Sequence, residues 1–177
     1  QVITIGAVNK LKRQLFFVKL LAKIDEVDRP ELVIISNGYD PIYKRNIIYS
    51  GIKNNVKVRI LENVSEKVKQ DEMSKSKLFI YAPVNEPFGI VILEALSIGL
   101  PILYYKYGGG FSEILNKKSG IGLNNLDLCD WRKGITEMLN YSDEHLKVIM
   151  RNNLSISKKY TEHTMNNKIT KLIKSLL

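Results

Sequence analysis

Short apolar runs too brief for helices alternate with longer stretches of helical spacing through most of this chain, and that alternation limits what it can become. VITIGAV (2 to 8) reads as a buried strand ending in a Gly turn, and RQLFFVKLLAKI (13 to 24) as a helix. ELVIISNG (31 to 38) is a second strand whose Asn-Gly marks the exit turn, and Pro41 suits the first turn of the helix that follows. VKVRIL (56 to 61) and KLFIYAP (77 to 83) are strands with the polar helix SEKVKQDEMSKS between them. GIVILEALSIG (89 to 99) is a helix closed by Gly99, and PILYYK (101 to 106) is a strand again. Beyond Gly122 the pattern turns to helices only, over 127–140, 143–159 and 162–176. Strands alternating with helices build βαβ units, hence a parallel sheet with helices on both faces. The predicted fold class is therefore α/β, a doubly wound, Rossmann-like sheet with extra C-terminal helices, and residues 1–177 form a single domain.

Composition fits such a domain, with 45% apolar and 25% charged residues. The longest apolar segments are broken by Glu, Lys or Asn before they reach the length of a membrane span, and no leader opens the chain, so a cytoplasmic location is expected. A lone Cys129 and two distant histidines, His145 and His163, give no metal-ligand spacing, and no metal is expected. The net charge of +9 raises phosphate-bearing partners, but lysines scattered through the sequence account for most of it as ordinary surface charge. Aromatic-basic interleaving is missing, which argues against nucleic acid.

In a doubly wound sheet the ligand sits at the carboxyl ends of the strands, where strand order reverses. Chemistry is therefore expected in the loops at 6–13, 37–40, 62–65, 83–89 and 105–113. One of these leads into NEPFGIVILEALSIGLPI, where Glu86 and Glu94 stand eight positions apart and the second lies in an apolar helix. A carboxylate there is expensive to bury unless something hydrogen-bonds it, and a vicinal diol such as a ribose supplies two donors. Spacing alone equally allows Glu94 and Ser97 to be the solvated stripe of an ordinary packed helix. The first amides after Phe88 and Gly89 can hold an anion or sugar hydroxyls. YGGGFSEIL (107 to 115) offers Gly109 and Gly110 as a phosphate cradle ahead of a helix near Phe111, or simply a flexible turn. Lys12 and Arg13 are positioned to reach a diphosphate, or else solubilise the surface. No G-x-G-x-x-G, P-loop, D-x-D or G-x-S-x-G motif is present, which disfavours an NAD-type site, a P-loop kinase, a D-x-D metal site and a hydrolase nucleophile elbow.

Taken together, these residues resemble the C-terminal, donor-binding domain of retaining glycosyltransferases with the GT-B fold, the large group 1 or family four. That family carries Glu, seven residues, Glu around F-G-x-x-x-x-E-A-x-A-x-G-x-P-V, which here reads EPFGIVILEALSIGLPI. G-G-x-x-E (109 to 113) and a Lys six residues after Gly6 are further matches, and the likeness runs from residue 2 to about 176. The resemblance implies a catalytic role for Glu86 near the reacting centre of the donor sugar. It implies that Glu94 binds the ribose, that the amides of Phe88, Gly89 and Ile90 hold sugar and phosphate, and that Lys12 neutralises the leaving diphosphate. It further implies a UDP-, GDP- or ADP-sugar donor, no metal cofactor, and transfer with retention by front-face attack. Two departures stand out: Ala7 where a basic residue is usual, leaving Lys10 or Arg13 to replace a phosphate contact, and Glu62 where a Gly is common near the base. The acceptor domain is expected as a separate N-terminal unit, with this chain cut at the junction and inactive alone. For a lipid acceptor, Tyr104, Tyr105 and Tyr107 and the basic surface would approach the inner face of a membrane. A non-catalytic nucleotide-sugar or docking module and a GT-B epimerase are the competing expectations.

Overall fold

The computed structural model describes residues 1–161 and, beyond them, residues 164, 166, 170 and 173, so the helix expected over 162–176 lies almost wholly outside the described residues. Six strands form one sheet: β1 (Val2–Ile5), β2 (Leu32–Ser36), β3 (Val58–Glu62), β4 (Leu78–Tyr81), β5 (Ile102–Tyr105) and β6 (Gly120–Leu123). Their order is β3-β2-β1-β4-β5-β6 and all neighbours are parallel, as a doubly wound sheet requires. The chain works outward from β1 to one edge, returns to β4, and works outward to the other edge.

Because side chains alternate across a strand, both faces of a central strand must be apolar when both are covered. Val2, Leu32, Ile34, Leu78 and Ile80 point to one face, Ile3, Ile5, Val33, Ile35, Phe79 and Tyr81 to the other. The first face is covered by α1 (Gln14–Leu21), α2 (Pro41–Lys53) and α5 (Leu128–Leu139), with Phe17, Ile47 and Trp131 fully buried. Trp131 stands edge-on to Phe16, their centroids 5.3 Å apart, and its indole donates to the Asn125 carbonyl at 2.8 Å. The second face carries α3 (Glu66–Ser74), α4 (Ile90–Ser97) and α6 (Asp143–Ser157), which bring Met73, Ile92, Leu96 and Ile156 to the sheet.

The structure revises three expectations. β6 is a strand in a stretch for which no element is expected, the segment at 110–113 is a single 3-10 turn rather than the start of a helix, and β1 ends at Ile5 because Gly6 turns the chain away. α6 is tied to the sheet through Asn153, a fully buried side chain whose amide donates to the carbonyls of Leu100 (2.9 Å) and Ser119 (3.3 Å), the chain leading into β5 and β6. Replacing it strands the Leu100 carbonyl and leaves the Ser119 carbonyl with the Ile102 amide alone. Asn153→Ala is expected to lower the stability of the chain by about 1–3 kcal/mol with the slope of the urea transition unchanged, read by circular dichroism.

Candidate functional site

The order of strands reverses between β1 and β4, and the loops that leave these two strands carry Lys12 and Glu86. After Gly6 the chain makes a 3-10 turn at Lys10–Lys12, capped by the Asn9 side chain, which accepts from the amides of Leu11 (3.0 Å) and Lys12 (3.2 Å). This turn delivers Lys12 toward β4, where its ammonium forms an ion pair with the Glu86 carboxylate. Arg13 does not reach toward a phosphate as expected. Its guanidinium donates to the carbonyls of Ala82 and Pro83, 3.1 Å each, and lies over the Tyr105 ring. Arg13 thereby fastens the first loop to the second, and the Val84 amide adds a bond to the Leu11 carbonyl at 2.7 Å.

The loop after β5 braces Glu86 from its other side. Glu86 donates its amide to the Gly108 carbonyl at 2.8 Å and accepts from the Gly110 amide at 3.0 Å. The expectation of a phosphate cradle is corrected for Gly110, because its amide is already bonded to Glu86. Gly109 has φ of 152°, and a Cβ there would sit 1.9 Å from the Glu86 carbonyl oxygen, so a glycine is what lets the two backbones meet. Beneath them Tyr81 is buried next to Glu86. Burial first, then the neighbouring carboxylate, raise its pKa, so the phenol keeps its proton.

Glu86 and Glu94 are joined by the turn that starts α4. Gly89 occupies the left-handed region at φ 76°, and no side chain caps the helix. α2, α3, α5 and α6 are each capped, by Asp40, Ser65, Asp127 and Ser142 respectively. The amides that open α4 thus have no side-chain partner and carry the positive end of the helix dipole. Phe88 and Ile90 are exposed on either side of Gly89, so this turn offers a ligand its backbone more than its side chains.

One turn further on, Glu94 lines a cleft of about 250 Å³ together with Gly6, Ala7, Ser36, Asn37 and Lys69. Ser97 does not pair with its carboxylate, since the hydroxyl donates to the Glu94 backbone carbonyl instead. Glu94 Oε1 accepts from Lys69 Nζ at 2.9 Å, while Oε2 is buried without a partner. Lys69 also meets Glu66 at 2.8 Å. Burial alone would lower its pKa, but the bonds to Glu66 and Glu94 outweigh it and raise it, so the ammonium stays charged. Glu62 turns away toward an ion pair with Lys44 on α2. A larger groove of about 700 Å³, lined by Met73, Leu100, Pro101 and Met150, opens at the amino ends of the strands, the far side from the Glu pair.

Sequence reading brings Lys12, Glu86, Gly89 and Glu94 to one place, and the structure does the same. It misses Lys69 and Tyr81. Lys69 had a signal: it lies one helical turn before Met73, the buried apolar residue of α3, and so shares its inward face.

A profile of the family described as Glycosyl transferases group 1 matches residues 1–173. Alpha-1,3/1,6-mannosyltransferase alg-2 of Neurospora crassa is 34% identical over 93 residues, 52% of this chain and 20% of that protein. The chain spans about a fifth of the length of the curated mannosyltransferase relatives it matches. Anabaena HepE in complex with UDP superposes with a TM-score of 0.82 at 17% identity, covering 97% of this chain and 48% of that one. The C-terminal domain of a group 1 glycosyl transferase from Francisella tularensis superposes with a TM-score of 0.74 at 14% identity, over 90% of this chain and 85% of that one. At such identities the likeness is one of fold. With the profile matched along nearly its whole length, and the Glu pair carried on the loop and helix at the reversal of the sheet, the chain belongs to the group 1 glycosyl transferases.

Proposed function

We propose that this chain is the donor-binding half of a retaining, metal-independent hexosyltransferase that uses a nucleoside diphosphate sugar. The observation that carries the reading is the single segment from Glu86 to Glu94, which sets two carboxylates on either side of an uncapped helix start at the reversal of the sheet. In this scheme Glu94 accepts from the ribose hydroxyls, the first amides of α4 hold the diphosphate, and Glu86 contacts the donor sugar. Lys12 exchanges Glu86 for the diphosphate when the donor arrives. The bond between the anomeric carbon and the diphosphate oxygen breaks, and the acceptor oxygen bonds to the same face of the sugar. The acceptor proton passes to the departing phosphate oxygen. Charge that develops on the leaving group meets preorganised donors, namely the helix dipole and the Lys12 ammonium. A hexose is favoured by the mannosyltransferase relatives, and the acceptor belongs on a further domain, in keeping with their greater length.

We also propose that the chain touches an anionic membrane surface through α2. Of the three tyrosines expected to do so, Tyr104 is in the core and Tyr105 lies under Arg13, while Tyr107 is exposed but is one ring rather than a patch. Instead Ile42, Ile48, Tyr49 and Ile52, the last 78% exposed, form one outer stripe of α2, flanked by Arg45 and Lys53 with no acidic residue in the helix. Large apolar groups among cations suit the headgroup region of an anionic bilayer.

Two measurements follow. Calorimetric titration with UDP, GDP and ADP is expected to show binding of one of them, weakened about ten-fold or more by Glu94→Ala, the worth of hydrogen bonds to a charged group. Lys12→Met should weaken the diphosphate by a similar factor and leave the nucleoside unchanged, whereas equal loss for both would remove Lys12 from the phosphate site. In the second, the chain should sediment with vesicles of phosphatidylglycerol and phosphatidylcholine but not with phosphatidylcholine alone, and Ile52→Glu should abolish this. Binding that ignores the variant would discard the α2 surface.

A further inference from the structure

Lys69 belongs to α3, a mostly polar helix, yet its side chain is only 15% exposed and lies against the cleft. An ammonium has three donors. Two are committed, to Glu66 Oε2 at 2.8 Å and to Glu94 Oε1 at 2.9 Å, which leaves one N–H. On the acceptor side the counterpart is Glu94 Oε2, buried and without a partner. Leaving such an atom unsatisfied is costly, and native proteins keep few of them. A spare donor and a spare acceptor therefore lie on the two ends of one ion pair that lines the same cleft. The charges of Glu66, Lys69 and Glu94 sum to a single negative charge, which disfavours a phosphate beside them and suits a neutral polar group.

We propose that Lys69 is a specificity-determining residue of the donor cleft, reading the ribose diol jointly with Glu94. The 3′-hydroxyl donates to Glu94 Oε2, and the 2′ oxygen accepts the remaining N–H of Lys69. The two hydroxyls are thus distinguished by direction, one as donor and one as acceptor, where a carboxylate alone would take both as donors. Glu66 serves as a positioning residue, holding the ammonium against Glu94 while its third proton faces the ligand. This inference rests on the cleft being a nucleotide site, as proposed above.

The test is titration of the wild-type chain and of Lys69→Met with UDP, GDP, ADP and their 2′-deoxy counterparts, with Lys69→Gln as a second variant that keeps an N–H donor without the charge. Wild type should prefer the ribonucleotide by about ten-fold, the worth of one charge-assisted hydrogen bond. Lys69→Met should bring the ribonucleotide down to the affinity of the deoxy form and leave the deoxy form within about two-fold, and Lys69→Gln should fall between them. A merely structural lysine would lower both ligands alike. An unchanged preference in Lys69→Met, with the preference lost in Glu94→Gln, would overturn the role of Lys69 and leave the nucleotide site standing. Absence of binding of all three ribonucleotides to wild type would overturn the reading of the cleft, and this proposal with it.

Discussion

Everything at this site depends on the reversal of strand order between β1 and β4. Neighbouring parallel strands usually send their connections to helices on the same side, and the loops then crowd together. Here the β1 loop leads into α1 on one face and the β4 loop leads into α4 on the other, so the two part and leave a cleft. Once the sheet is parallel and doubly wound, the place of the ligand follows from topology. The side chains decide only what the place is able to hold.

They decide it by leaving polar groups without internal partners. The start of α4 has no capping side chain and Glu94 keeps one buried oxygen free, whereas Lys12 and Glu86 are joined in an ion pair. The free Glu94 oxygen departs from the rule that native proteins satisfy their buried polar groups. The uncapped start of α4 and the free Glu94 oxygen lie at this end of the sheet, while at the opposite end Asn153 spends its amide on two carbonyls and binds α6 firmly.

Much of this was legible in the residues. β1, β2, β4 and β5 are apolar runs bounded by Gly, Pro or Asn, and a strand buried on both faces can hardly be written otherwise. β6 was not, because GIGL has two glycines in four residues and only Ile121 and Leu123 to mark a face, and it is a strand only because β5 lies beside it to pair with. Glu86 and Glu94 were legible as a spaced pair with a family likeness. Arg13 was assigned by charge to a phosphate and is instead held by the carbonyls of Ala82 and Pro83, 69 and 70 residues away in the chain. No local signal announces such a partner. Lys69 lay hidden for the opposite reason: in a segment as polar as SEKVKQDEMSKS every lysine looks like solvent-facing charge, and only the burial of Met73 separates one of them from the rest.

The bonds that hold the three loops in place, Val84 to Leu11, Glu86 to Gly108 and Gly110 to Glu86, run from main chain to main chain. Apart from the glycines that permit the approach and the Arg13 guanidinium that fastens the first loop to the second, the frame does not depend on which side chains decorate it. Ala7 can therefore stand where a cation is usual without the loop losing its course. The main chain of this domain acts as a fixed mount, on which the lining of the cleft can be altered by exchanging side chains while the mount keeps its shape.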